Sequence, residues 1–204
     1  MMLAVGTTLF GVFFFLTLFV QDVWDYSALR AGVAFLPLTA AVLAASAAAT
    51  RLVPRTGARP LLLAGAAGSA AGLYWLSRLT EHGTYAGGLL GPLLVIGVGL
   101  GLLFVPLSLV ALARVAETDS GVASSLLNTG RQVGGSIGLA VLGTVAWTVV
   151  ADSAHGAALR SAAYQHALAA GFDRAFLVAA AIAVLTLVVA ITTIRIRRAD
   201  LSGG

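Results

Sequence analysis

Charge interrupts this chain so seldom that it reads as a series of uncharged stretches, each about as long as a lipid bilayer is thick. Residues 1–20, 31–50, 60–77, 84–113, 121–151 and 175–194 are apolar runs, and only the fifth holds a charge, Arg131. A spanning helix needs about 20 predominantly apolar residues. Six transmembrane helices are therefore expected, with 1–194 forming one membrane domain and 195–204 a cytoplasmic tail. Composition agrees: of 204 residues 59% are hydrophobic and 10% charged, with a mean hydropathy of +0.99. Soluble domains carry about 25% charged residues. A water-soluble globule of this length still exposes roughly 30% of its unfolded surface and could not hide so much apolar area. Disorder is excluded because disordered chains are poor in apolar residues. The expected fold class is an all-α integral membrane protein. The first run lacks a basic n-region and is too long for a signal-peptide core, so it is expected to remain as a span.

The arginines then set the topology. All 12 basic residues are arginine. Six spans put both termini on one side. The loops on that side, with the tail, hold Arg51, Arg55, Arg59, Arg114, Arg195, Arg197 and Arg198; the other side holds Arg30, Arg78, Arg160 and Arg174. Basic residues accumulate in cytoplasmic loops, so both termini are expected to be cytoplasmic. Trp and Tyr favour the membrane interfaces, and Trp24, Tyr26, Tyr74, Trp75, Tyr85, Trp147 and Tyr164 all fall toward the opposite ends of the runs. The pI of about 10.3 thus reflects membrane topology, and no nucleic-acid partner is expected. In the segment 51–60, Pro54, Gly57 and Pro60 are expected to stop the helices. Between the last two spans, 152–173 is expected to be an outer segment with a short surface helix.

Chemistry is conspicuous by what is missing. There is no cysteine, which removes disulfides, thiolate metal sites and cysteine nucleophiles. His82, His155 and His166 fall outside the runs, and Ser124 and Ser125 have no His or Asp partner nearby. No catalytic group, metal or cofactor is expected, and the chain is not expected to be an enzyme. The eight carboxylates Asp22, Asp25, Glu81, Glu117, Asp119, Asp152, Asp173 and Asp200 all fall in or beside loops. A proton-coupled transporter normally needs a titratable group inside the membrane. The sequence offers none, unless Asp22 or Asp25 serves at the outer mouth, so a proton carrier is expected on another segment or polypeptide.

Glycines mark helix packing. Gly130, Gly134 and Gly138 recur every four residues in the fifth run, and Gly97 and Gly101 do so in the fourth. Such spacing lets backbones approach closely in lipid. Pro92 and Pro106 mark bends in the fourth run. Gly97, Gly99 and Gly101 are not a nucleotide-binding loop, since no strand precedes them and no acidic partner follows. The fifth run also holds a polar stripe, Asn128, Arg131 and Gln132. Counted from Val122, Arg131 lies roughly 13 Å into the span, where an arginine facing lipid costs about 2.5 kcal/mol or more. Two readings stand side by side: the stripe lines a substrate cavity or gate, or the arginine snorkels to the cytosolic interface while the amides bond between helices.

Several strings resemble one family. Residues 21–32, QDVWDYSALRAG, are similar to the first outer loop in the C-terminal half of fourteen-span drug:proton antiporters of the major facilitator superfamily; Asp25 and Ala28 stand where that pattern has Gly and Pro. Residues 97–107, GVGLGLLFVPL, resemble the group's glycine-rich helix. Residues 121–138, GVASSLLNTGRQVGGSIG, are the most specific match, and Ala169, Ala170, Gly171, Phe172, Ala175 and Phe176 also fit. Arg51, Arg55, Gly57 and Arg59 resemble the C-half echo of the superfamily's basic loop, here without its acidic residue.

The resemblance covers nearly the whole chain, but only as the last six spans. It implies one major-facilitator half, built as a 3+3 inverted repeat. The function implied is part of a secondary-active, proton-coupled multidrug or small-molecule exporter that works by alternating access, with substrate bound between two halves. By that analogy the first, second, fourth and fifth spans face the cavity. Asn128, Arg131, Gln132, Phe14 and Gln21 would then be cavity or gate residues; for Phe10, Phe13, Phe14, Phe15 and Phe19 two readings stand, lipid-facing or packing positions for most of them and an aromatic wall for apolar drugs from some. The implied partners are the bilayer of a bacterial inner (plasma) membrane, a small amphipathic or apolar substrate, and an N-terminal transporter half or a second copy. The alternatives are a self-dimerising six-span carrier and a non-transporting membrane scaffold or remnant.

Overall fold

The computed structural model describes residues 1–81, 83–113, 115–154 and 161–193. Expectations for His82, Arg114, His155, Arg160 and the tail 195–204 lie outside the described residues. Those residues are helical almost throughout. They form α1 (Met2–Leu18), α2 (Ala28–Ala34), α3 (Leu36–Thr56), α4 (Ala58–Leu76), α5 (Leu90–Leu112), α6 (Ser120–Ala154) and α7 (Ala162–Thr193). A wide π turn, Phe19–Val23, extends α1, and another, Tyr85–Leu89, leads into α5.

Five of these helical units are long and apolar enough to cross a membrane: Met2–Val23, Ala28–Thr56, Tyr85–Leu112, Glu117–Ala154 and Ala162–Thr192. The expected third span, α4, is outside that set. Its 19 residues are rich in alanine and glycine and include Arg59 in the first turn, which lowers its apolarity. It is nevertheless central, for it packs on both α5 and α7 and buries Leu62, Leu73 and Leu76 completely.

Glycine decides who packs on whom. Lipid tails are as apolar as leucine, so helices associate in membranes through close packing rather than through hydrophobic expulsion. Gly134 lies against the backbone of Leu3, and Gly138 against Thr7. This fastens α6 to α1 in parallel, and the Thr7 hydroxyl donates to the Gly134 carbonyl at 2.8 Å. Gly97 and Gly101 meet Leu38, Val42 and Ala45, which sets α5 parallel to α3, while Gly99 between them faces Gly65 and Ser69 of antiparallel α4. The row therefore serves two neighbours. Gly130 behaves differently, having only the Met2 side chain in ordinary contact. At the centre Phe15, Phe19, Phe172 and Phe176 are fully buried, and Phe172 joins Phe15, Phe19 and Trp147 in ring contacts.

Three expectations change. The segment 51–60 is not a loop: α3 runs through Pro54 to Thr56 and α4 starts at Ala58, so Gly57 at φ 82° is the single break. Glycine alone takes that angle without strain. Pro60 falls in the first turn of α4, where a missing N–H costs nothing. Secondly, among the described residues the stretch from Ala162 is not a separate surface helix, because α7 begins there and continues for 32 residues. Its alanines sustain the helix past Tyr164, Gln165 and His166. Thirdly, Asp173 is consequently not a loop carboxylate. It lies well inside α7, with one carboxylate oxygen enclosed and without a hydrogen-bond partner.

Candidate functional site

The polar stripe on α6 gathers at one end of the bundle. The Arg131 guanidinium donates to Asn128 Oδ1 at 2.6 Å and lies over the Phe104 ring, 5.3 Å from its centre. An i, i+3 pair shares a helix face, so α6 alone supplies the amide, whereas the ring comes from α5. Together with Met2, Ser108, Leu112 and Ser124 they line a cavity of about 150 Å³. Ser108 and Leu112 belong to the last turns of α5, and Gly6 in the first turns of α1 meets the Arg131 carbonyl. Arg131 is thus nearer the arginine-rich end than the midplane depth counted from Val122. The reason is length: 35 residues of α6 make roughly 52 Å at about 1.5 Å per residue, so its first turns extend beyond the last turn of α5.

The exposed surface of α6 divides into two bands. Ser125, Asn128, Thr129, Gln132 and Ser136 are exposed on one side, and Val122, Leu126, Val133, Ile137 and Val141 on another. At about 100° per residue the band centres are roughly a quarter turn apart. The Ser125 and Ser136 hydroxyls donate to the carbonyls one turn back and Asn128 accepts from Arg131; an amide without such a partner does not belong in lipid, while the apolar band does. Gln132 is on the polar band beside the Arg131 pocket but does not line it.

Phe14 and Gln21 are elsewhere. Phe14 is 46% exposed on α1 and touches the ring of Phe15 edge-on. Among the expected aromatic wall, Phe15 and Phe19 are core residues, whereas Phe10, Phe13 and Phe14 are exposed. Gln21 is in the π turn and lines a second cavity of about 390 Å³ with Asp22, Asp25, Trp147, Tyr164 and Gln165. The aromatic residues cluster at this end, where Trp24 Nε1 donates to the Thr80 carbonyl at 3.2 Å and Tyr85 to the Ala34 carbonyl at 2.9 Å.

The first loop explains its own departures. Asp25 adopts φ 53°, the left-handed region, which favours glycine. Ser27 caps α2 by accepting from the Arg30 N–H, which makes Ala28 the first helical residue, where proline is favoured. The two substituted positions are those where Gly and Pro fit best. In the basic segment, Arg51 and Arg55 are exposed on α3, while Arg59 donates to the Ile191 carbonyl near the end of α7 at 3.3 Å.

Sequence reasoning missed Phe104, Ser108, Tyr164 and Gln165, because each meets its partners across helices distant in the chain. It also missed the enclosed carboxylate of Asp173, whose signal was the alanine-rich continuity of 162–174.

Comparison with known proteins places these features. The Major Facilitator Superfamily profile matches residues 1–139. The cephamycin export protein CmcT of Amycolatopsis lactamdurans is 45% identical over 148 residues, covering 71% of this chain and 30% of that protein. The puromycin resistance protein pur8 of Streptomyces alboniger is 41% identical over 140 residues, 67% of this chain and 28% of that protein. The multidrug resistance protein Stp of Mycobacterium tuberculosis is 37% identical over 140 residues, 68% and 26% respectively. The match spans under a third of the length of each relative.

Proposed function

The chain belongs to the Major Facilitator Superfamily, and from that premise we propose that it is one six-helix half of an antibiotic or multidrug exporter in a bacterial cell membrane. The observation that carries this reading is the polar band on α6, an exposed row of Ser125, Asn128, Thr129, Gln132 and Ser136. The Ser125 and Ser136 hydroxyls donate to carbonyls one turn back, but among the described residues the Gln132 amide has no such partner and lipid cannot supply one, so in this reading the band faces water or protein between two halves. In this reading Asn128 and Arg131, with Phe104, form the cytoplasmic mouth of the substrate cavity. Gln132 and Ser136 line the path further in, and Gln21 belongs to the opposite mouth. The arginine-rich end, with both termini, is cytoplasmic.

The packing supports a 3+3 inverted repeat with six spans. Exchanging the first three helical passes for the last three turns the parallel pair α1 and α6 into the parallel pair α5 and α3. Alternating access follows as rocking of this half against an N-terminal half. For proton coupling, Asp173, inside α7 with one carboxylate oxygen enclosed and without a hydrogen-bond partner, is a candidate carrier within this chain, beside the one expected on another segment.

Co-expression tests the reading. In cells lacking their own pumps, an N-terminal eight-span half from a related exporter and this chain are expected to expel ethidium together and not separately. Export by this chain alone would overturn the half-transporter reading in favour of a self-sufficient carrier.

A further inference from the structure

A third and much smaller cavity lies where α1, α4, α5 and α7 meet. Among the described residues the buried polar side chains are the hydroxyls of Thr7, Thr8, Ser69 and Thr186. Thr8, Ser69 and Thr186 all line this one cavity. Its other walls are alanine, valine and leucine, with no charged group. A serine or threonine inside a helix can turn its hydroxyl back to the carbonyl one turn earlier, as Thr39, Ser108, Ser136 and Thr144 do. Thr7 does so and also reaches Gly134 of α6, and Thr186 donates to the Ile182 carbonyl at 2.9 Å. Ser69 does not. The residue is 1% exposed, and its oxygen is enclosed without a partner. Thr8, 3% exposed, makes no side-chain hydrogen bond among the described residues either. On the side of α5 there is no room to spare, since a Cβ on Gly99 would come within 2.6 Å of the Ser69 oxygen.

Hydroxyls gathered in an apolar interior call for a ligand that both donates and accepts, because a buried polar group left without a partner is costly. The cavity measures about 10 Å³, close to the roughly 10–15 Å³ that one water requires, and a buried water makes about 3 hydrogen bonds. We propose that the cavity is the binding site of a single ordered water. The water accepts from Ser69 and Thr8 and donates to Thr186, whose own proton is committed to Ile182. A metal ion fits poorly, since no charged side chain lines the walls to offset its charge and an isolated charge in such surroundings costs far more than a hydroxyl. The site has a role in the packing. α1 packs closely on α6 and α7 but hardly on α4, so the water supplies a polar tie between α1 and α4 that direct contact does not. The tie is independent of what the half-bundle transports.

A crystal structure of the whole chain, at a resolution that shows bound water, tests the site directly. One isolated density peak at about 2.7–2.8 Å from the Ser69 and Thr8 oxygens is the expected result. No peak there, or a peak that appears only with sodium in the buffer, would overturn the proposal. Unfolding of the whole chain by graded sodium dodecyl sulfate gives a second readout. Ser69→Ala is expected to raise the unfolding constant about fivefold, the effect of roughly one lost hydrogen bond, and Thr8→Val to do likewise. The double variant has lost both donors that hold the water, so its effect should fall short of the product of the two. A Ser69 hydroxyl with no ligand behaves oppositely, because replacing it with alanine removes an unsatisfied group. An unfolding constant that Ser69→Ala leaves unchanged or lowers, or effects that simply multiply in the double variant, would overturn the proposal as well.

Discussion

At one end of α6 a guanidinium lies against a phenylalanine ring and donates to a neighbouring amide oxygen; at the other end a tryptophan lies beside two carboxylates that form no ion pair among the described residues. The first cluster is self-satisfied, because Arg131 finds both Asn128 and Phe104 within the chain. The second borders a cavity more than twice as large, about 390 Å³ against about 150 Å³. A closed polar cluster positions and gates, whereas an open one leaves room for solvent. α6 therefore borders both clusters, with Arg131 toward one end and Trp147 toward the other, and the glycines between fasten it to α1.

The strongest way to break this arrangement is to unfasten the helix between the two ends. Gly134→Val would drive a branched side chain into the Leu3 backbone. Overpacking against side chains costs about 1–3 kcal/mol, and a backbone neighbour can yield less, so a loss of about 3 kcal/mol is expected in unfolding by graded sodium dodecyl sulfate. Gly130→Val, on the same row but near only the Met2 side chain, should change stability by less than about 0.5 kcal/mol. Equal losses at both positions would mean that spacing, not contact, sets the packing.

Next in size is the Arg131 cluster. In the assembled exporter, Arg131→Ala is expected to lower export at least tenfold at equal membrane abundance. Arg131→Lys should fall between, because lysine lacks the planar fork that bonds the amide and covers the ring. Unchanged export in the alanine variant would make Arg131 an interfacial anchor. A smaller effect is expected at the carboxylate cluster. Asp25→Gly should raise stability by about 1 kcal/mol, since a left-handed residue with a Cβ costs roughly 1–2 kcal/mol. Smallest is the coupling between the ends. Changes at sites this far apart usually add to within about 0.5 kcal/mol, so Arg131→Ala and Asp22→Asn should combine with no more than about a twofold departure from multiplied effects. A larger departure would tie the two clusters to one conformational equilibrium.

The sequence was most legible where lipid itself imposes the rule. Uncharged runs located the long helices, and the tryptophans and tyrosines, placed together by residue number alone, do gather at one end. It was misleading where one residue type stands for two structures. Pro54 reads as a stop yet lies inside α3, since near a helix end it deletes one hydrogen bond and little else. Asp173 and Arg174 read as the edge of a span, yet the alanines before them carry the helix on, and a carboxylate assigned to solvent comes to be enclosed. Neither pocket could be read from the chain, because α5 brings Phe104 to Arg131 and α7 brings Tyr164 to Asp22 only after the helices pack. The departures at Asp25 and Ala28 had the opposite history: a comparison of strings found them, and backbone angles supplied their meaning.

The central claim is that the polar band of α6 faces an aqueous cavity while the apolar band faces lipid, and the absence of cysteine makes it directly measurable. Single cysteines at Gln132 and Ile137, in the exporter assembled with a cysteine-free N-terminal half, would be exposed to a membrane-impermeant maleimide. Rapid labelling at 132 that transported substrate slows, with little labelling at 137, is the result the account predicts. Equal labelling at both positions, or protection of 132 in the absence of substrate, would contradict it.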